Sequence, residues 1–125
     1  MRSMAFIIRM GIPEMANLWK KLQICYRNGT ISKKDAELYK KWGNALKKLS
    51  NDPHYPSLKT HEISALSKRY GMKVWQSYIE NHRSRARRMF WVYGPMSDDI
   101  TVIGLEPHPD DKNGAYDRIT LSNLF

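Results

Sequence analysis

Eight side chains in the second half of the chain could move protons or hold a phosphate: His61, Glu62, Arg83, Arg85, Arg87, Arg88, His108 and Tyr116. Histidine titrates near neutrality and serves as base or acid. Arginine stays charged and forks onto phosphate oxygens. Tyrosine can donate a proton or stack on a base. Such a set could cut RNA without a metal. The 2′-hydroxyl of RNA attacks the adjacent phosphorus, which asks for a base at the hydroxyl, a fixed cation on the phosphorane oxygens and an acid at the leaving oxygen.

Each residue also has a plainer reading. Arg83 and Arg85 fall in a polar turn, where solvated arginines are ordinary. Arg87 and Arg88 occupy successive strand positions and so point to opposite faces. One of them shares a face with Phe90 and Val92, and there it needs a partner or a ligand. His61 and His108 can be structural, Glu62 can pair with a lysine, and Tyr116 can cap the core. The run His108-Pro109-Asp110-Asp111 has no second ligand cluster to go with it. The sequence has no Cys/His zinc pattern, phosphate-binding glycine loop or nucleophile elbow, so neither a metal nor another cofactor is expected.

The elements that must position these residues are readable from spacing. Residues 5–9 are short and rich in β-formers, which predicts a strand ended by Gly11. Pro13 suits a first helical turn, and Met15, Leu18, Trp19, Leu22, Cys25 and Tyr26 keep helical spacing up to Asn28-Gly29. Ser32 is an N-cap, with Asp35 three residues on. The stripe Leu38, Tyr39, Trp42, Ala45, Leu46 and Leu49 then runs to Asn51-Asp52-Pro53, with most of its lysines, Lys47 and Lys48 among them, off the stripe. Together these make an αα-hairpin that must lay its apolar stripes on a sheet. Strands are predicted over 59–63, 73–79, 86–93 and 99–106, with Gly94-Pro95 opening a hairpin turn. Residues 64–71 read as an irregular connection, although Ile63, Leu66 and Tyr70 also allow a helical turn. Residues 81–85 read as a basic turn, 107–114 as a polar loop, and 116–124 as a short strand or helical turn. The expected fold is a single α+β domain over 1–125, with the helices on one face of an antiparallel sheet.

A chain of 125 residues with 42% hydrophobic residues can bury one core. Twenty-one Lys and Arg face twelve acidic residues, a formal net charge of +9. An excess that large on a small domain points to a polyanionic partner, because each phosphate contact releases condensed counterions. The alternative is a solvated surface that serves solubility alone. The single cysteine, Cys25, allows no intrachain disulfide and suits a reducing cytoplasm; it reads as a small hydrophobe on a helix face. No stretch approaches the roughly 20 apolar residues of a membrane span, and the apolar run 4–8 is too short for a signal-peptide core. No membrane partner is therefore expected. Oligomeric state stays open.

The order of elements resembles the RelE/ParE superfamily, the toxins of bacterial toxin–antitoxin pairs. Three segments carry the resemblance. The run Leu46-Lys47-Lys48-Leu49-Ser50-Asn51-Asp52-Pro53 resembles the end of the family's second helix. Arg87-Arg88-Met89-Phe90-Trp91-Val92-Tyr93 resembles its central strand. Ile100-Thr101-Val102-Ile103-Gly104-Leu105-Glu106-Pro107-His108, followed by Tyr116, resembles its last main strand and the loop beyond. The segments at 64–71 and 107–115 look longer than in many members. The resemblance implies a metal-independent endoribonuclease acting on messenger RNA at the ribosome, held in check by a cognate antitoxin. It implies that Arg88 contacts the scissile phosphate and that His108 and Tyr116 handle protons or hold a base. His61 or Glu62 would be the base, and Lys59 of the same segment, Arg83, Arg85, Arg87, Lys47 and Lys48 would contact RNA. One branch of the family poisons DNA gyrase without cutting RNA, so a non-catalytic binder of gyrase or nucleic acid is the alternative.

Overall fold

The computed structural model describes residues 5–11, 13–80 and 86–106. Its two long helices form where capping and spacing predict them. Helix α1, Pro13–Asn28, opens on proline with Glu14 in the first turn and closes at Gly29, whose φ of +73° is a left-handed conformation suited to glycine. Helix α2, Lys33–Asn51, is capped by the Ser32 hydroxyl, which accepts the Asp35 N–H at 3.1 Å. Its buried residues Leu38, Trp42, Ala45, Leu46 and Leu49 return every three or four positions and make one stripe. Cys25 lies half-buried on α1.

The strands are β1 (Ile7–Met10), β2 (His61–Glu62), β3 (Trp75–Tyr78), β4 (Arg88–Tyr93) and β5 (Asp99–Glu106). A 3-10 turn spans Pro56–Leu58 ahead of β2. The strands form one open sheet in the order β1-β5-β4-β3-β2. Neighbours from β5 to β2 are antiparallel, as expected, but β1 runs parallel to β5, with Ile7 opposite Asp99 and Met10 opposite Val102. The sheet is therefore mixed. Two bonds between Phe6 and Ser50 tie the entry of β1 to the end of α2: the Phe6 N–H donates to the Ser50 carbonyl and the Ser50 hydroxyl to the Phe6 carbonyl. The Arg9 guanidinium bonds the buried Asp99 carboxylate at 2.7 Å.

The helices are not confined to one face, which corrects a second expectation. Residues 64–71, read as an irregular connection, contain a third helix, α3 (Ser64–Tyr70), ended by Gly71 at φ +71°. The αα-hairpin packs Met15, Leu22, Leu38, Trp42 and Leu49 onto Met89, Trp91, Ile100 and Val102. On the opposite face, Leu66 of α3 packs with Val74, Phe90, Val92 and Ile103. Strand β4 thus alternates perfectly, Met89 and Trp91 to the hairpin, Phe90 and Val92 to α3. A register shift between Phe90 and Trp91, opposite Gly104 and Val102, leaves Ile103 as an extra residue that turns toward α3. A fully buried Leu, Ile, Val or Phe contributes about 1.5–3 kcal/mol, so both faces hold the sheet. No helix among the described residues is long and apolar enough to cross a membrane.

Candidate functional site

The pleat sorts the expected site residues between the two faces. Arg88 lies opposite Tyr78 on β3 and Glu106 on β5, in step with Phe90 and Val92, so it belongs to the α3 side. Its guanidinium donates to Glu106 at 2.8 Å. The Arg88 side chain is 27% exposed and that of Glu106 11%, so the pair sits at the margin of the sheet rather than in open solvent. The sequence asked for a partner or a ligand at this arginine, and Glu106 is the partner.

His61 stands on the two-residue edge strand β2, opposite Gln76 on β3, and Gln76 is opposite Phe90. The His61 Nδ1 lies 3.0 Å from the carbonyl of Lys59, which can only accept, so Nδ1 carries the proton. That leaves Nε2 as the acceptor, and the Gln76 amide N–H donates to it at 3.4 Å. Gln76 is 2% exposed. Among the described residues neither its buried Oε1 nor the buried Nε–H of Arg88 has a hydrogen-bond partner. Gln76 and Arg88 are diagonal neighbours on adjacent strands, roughly 7–8 Å apart at Cα. His61 lies two strands and two residues from Arg88, roughly 12 Å at Cα by strand spacing. Lys59, exposed with φ +48°, precedes this row. Beneath one face therefore lie, across β2, β3 and β4, an exposed imidazole bonded to the Gln76 amide and, among the described residues, a buried acceptor on Gln76 and a buried donor on Arg88 without partners.

Other expected residues go elsewhere. Glu62 pairs with Trp75, a residue packed against the hairpin core, so the pleat sets it on the face opposite His61. Arg87 also takes the hairpin side. Its backbone N–H donates to Glu80 at 3.1 Å and its guanidinium lies 3.8 Å from the same carboxylate, which Lys41 of α2 approaches at 3.1 Å. Burial alone would raise the Glu80 carboxyl, but the Arg87 N–H, the Lys41 hydrogen bond and both charges outweigh it and hold it below the usual carboxylate range. The hydrogen bond to Glu80 in turn raises Lys41 against its own partial desolvation, with Glu37 adding to the effect. Lys47 is exposed on α2, and Lys48 donates to the Ser57 hydroxyl. Arg83, Arg85, His108 and Tyr116 lie outside the described residues.

Gln76 and Glu106 were not singled out from the sequence. A glutamine within a predicted strand carries no local signal, and the pairing of Glu106 with Arg88 depends on a register that includes the extra residue in β5. Among the described residues no group of three or more His, Cys, Asp and Glu is arranged to hold a metal ion. No family model, curated protein or solved structure matches the chain.

Proposed function

We propose that the α3-side face of the sheet holds an RNA strand and cuts it without a metal, and that the protein is the toxin of a type II toxin–antitoxin pair acting on ribosome-bound messages. The observation that carries this reading is the pair of buried polar atoms, unpartnered among the described residues, beside the His61 imidazole. Gln76 Oε1 needs a donor and Arg88 Nε–H needs an acceptor. Leaving such groups unpaired costs about 1–3 kcal/mol each. A ribose 2′-hydroxyl next to its phosphate brings a donor and an acceptor together. In the reaction, the His61 Nε2 lone pair gives up the long bond from the Gln76 amide and takes the 2′-hydroxyl proton as O2′ bonds to phosphorus. Arg88 holds the phosphorane oxygens. The P–O5′ bond then breaks, giving a 2′,3′-cyclic phosphate and a 5′-hydroxyl whose proton comes from a general acid, for which His108 and Tyr116 are the candidates. The charge of +9 supports a polyanionic substrate and an acidic antitoxin that covers this face.

The ion pair between Arg88 and Glu106 favours a second reading, because Glu106 already neutralises the cation that the cut requires. On that reading the fold binds nucleic acid or gyrase and cuts nothing. The test is induction of wild type, His61→Ala and Arg88→Lys, followed by growth and messenger RNA integrity. Arg88→Lys keeps the charge that faces Glu106 but removes the Nε–H and the fork. The cutting reading expects arrest with discrete cuts in wild type, and cleavage rates about 10²-fold lower in each variant. Arrest with messages intact would establish the binder instead. Normal growth with no RNA bound would overturn both.

A further inference from the structure

The geometry points to a phosphate-binding subsite on the other side of the molecule, in the groove between the C-terminal half of α2, the 3-10 turn and the end of β3. The groove has a volume of about 60 Å³ and is lined by Asn44, Lys48, Ser57 and Glu80 among others. At 10–15 Å³ per water, that is room for roughly four waters, or for one tetrahedral oxyanion.

Charge identifies the ligand. Glu80 is the acidic group of the lining, and both its oxygens are taken, one by the Lys41 ammonium at 3.1 Å and the other by the Arg87 N–H at 3.1 Å. The Lys48 ammonium has no carboxylate within ion-pair distance among the described residues. It donates to the Ser57 hydroxyl at 3.2 Å and lies 5.2 Å from the centre of the Tyr55 ring. The carbonyls that end α2 do not claim it, since the Lys47 carbonyl accepts from the Asn51 amide and the Lys48 carbonyl from the Asp52 N–H. Lys41 is shared by Glu80 and Glu37 and Arg87 lies against Glu80, so among the described residues these cations are matched by carboxylates. Lys48 is the cation of the lining left for an anion, which would sit beside Lys48 and Ser57. The Ser57 hydroxyl accepts from Lys48 and still has its own proton to donate, and Asn44 adds an amide.

Phosphate is the anion that the surroundings favour. Lys33-Lys34, Lys40-Lys41 and Lys47-Lys48 recur every seven residues, so lysine pairs stand about 10.5 Å apart along α2. Lys33, Lys40 and Lys47 are exposed. A protein–protein interface is depleted in lysine at its centre, whereas a row of ammonium groups suits a phosphate backbone. The subsite would anchor one phosphate, and the lysine row would continue along the polymer.

The inference does not depend on RNA being cut, and its test uses ligands that cannot be cut. The full chain is titrated with inorganic phosphate, followed by amide shifts, and separately with a 2′-O-methyl RNA duplex at several salt concentrations. The variants are Lys48→Gln and Ser57→Ala, with Lys20→Gln, an exposed lysine of α1, as a control of equal charge outside the groove. The expected result is saturable phosphate binding with shifts at Asn44, Lys48 and Ser57, at least tenfold weaker in Lys48→Gln, weaker in Ser57→Ala and unchanged in Lys20→Gln. If the polymer is the source of the phosphate, the salt slope for the duplex falls by about 0.7–0.9 in Lys48→Gln. Phosphate binding that depends on Lys48, with an unchanged duplex slope, would assign the same subsite to a small phosphorylated ligand. Wild type without saturable phosphate binding, or equal weakening in Lys20→Gln and Lys48→Gln, would overturn it.

Discussion

Removing Arg88 should damage the fold, and the size of the damage follows from its surroundings. The guanidinium is 2.8 Å from Glu106, whose side chain is 11% exposed. Breaking a buried ion pair by deleting one partner costs about 3–5 kcal/mol, because the other charge is stranded. An exposed pair is worth about 0–1 kcal/mol. With Glu106 nearly buried and Arg88 about a quarter exposed, Arg88→Ala should cost about 2–3 kcal/mol, a large part of a net stability of about 5–15 kcal/mol. At about 3–5 °C per kcal/mol for this size, the melting temperature should fall by roughly 10 °C. The double variant Arg88→Met/Glu106→Leu, with no charge left to strand, should come within about 1 kcal/mol of wild type. Urea unfolding of wild type, both single variants and the double closes the cycle. If Arg88→Ala costs less than about 0.5 kcal/mol, or the single effects add without coupling, Glu106 is not stranded and the reasoning fails. The same arithmetic makes Arg88→Lys the sounder probe of activity, since loss of function in Arg88→Ala would mix chemistry with unfolding.

Three further outcomes are expected. Gly43 lies inside α2, where a Cβ would meet only the Trp19 ring at 3.7 Å, an ordinary contact. Gly43→Ala should therefore stabilise the protein by about 0.5–1 kcal/mol in urea unfolding, and destabilisation would show that the helices pack closer than described. Ser77 is fully buried and its hydroxyl accepts the Trp91 indole N–H at 2.8 Å and meets the Thr60 hydroxyl; Ser77→Ala should cost about 1–3 kcal/mol by leaving the indole unpaired, which thermal unfolding would read. Glu80 is held below the ordinary carboxylate range, so its contribution is present above the unfolded value near 4.3 and is lost as pH falls through the lower folded value. Glu80→Gln should flatten the stability profile on that acid limb and leave its shape above pH 6 unchanged; an unaltered acid limb would mean that Glu80 is not coupled to Arg87 and Lys41.

The αα-hairpin was legible because its signals are local: a serine cap, a proline start, a glycine stop and stripes at helical spacing. Strand β5 was legible over its whole length, 99–106, because it is a long run of β-formers between turn residues. Helix α3 was harder to read. With seven residues it offers less than two apolar repeats, and Ile63, Leu66 and Tyr70 fit a turn or a strand edge as well. A clue to its face was nevertheless present. Met89-Phe90-Trp91-Val92 is apolar at odd and even positions alike, the pattern of a strand covered on both sides rather than one. The parallel pairing of β1 left no mark in the sequence, because it is decided by which edge of the finished sheet is free. The opposed faces of Arg87 and Arg88 followed from the pleat. Their partners, Glu80 and Glu106, depend on register and could not be read locally.

The parallel seam between Ile7–Met10 and Asp99–Val102 also bears on how the chain comes to be made. Its two halves are some ninety residues apart, so the first strand of the sheet is translated long before the strand it must lie against. Helices α1 and α2 can form and pair as they emerge, but β1 has no neighbour to hydrogen-bond until β5 has left the ribosome. Until then the stripes on the hairpin have only part of the sheet to cover. Closing a loop of that length costs about 2–3 kcal/mol more in entropy than closing a short turn, and it delays the step in time. Arg9 and Asp99, which meet across this seam, are therefore among the last partners to find each other. Glu106 emerges later still, so on the reading proposed above Arg88 gains its counter-charge after the remainder of the row has been synthesised.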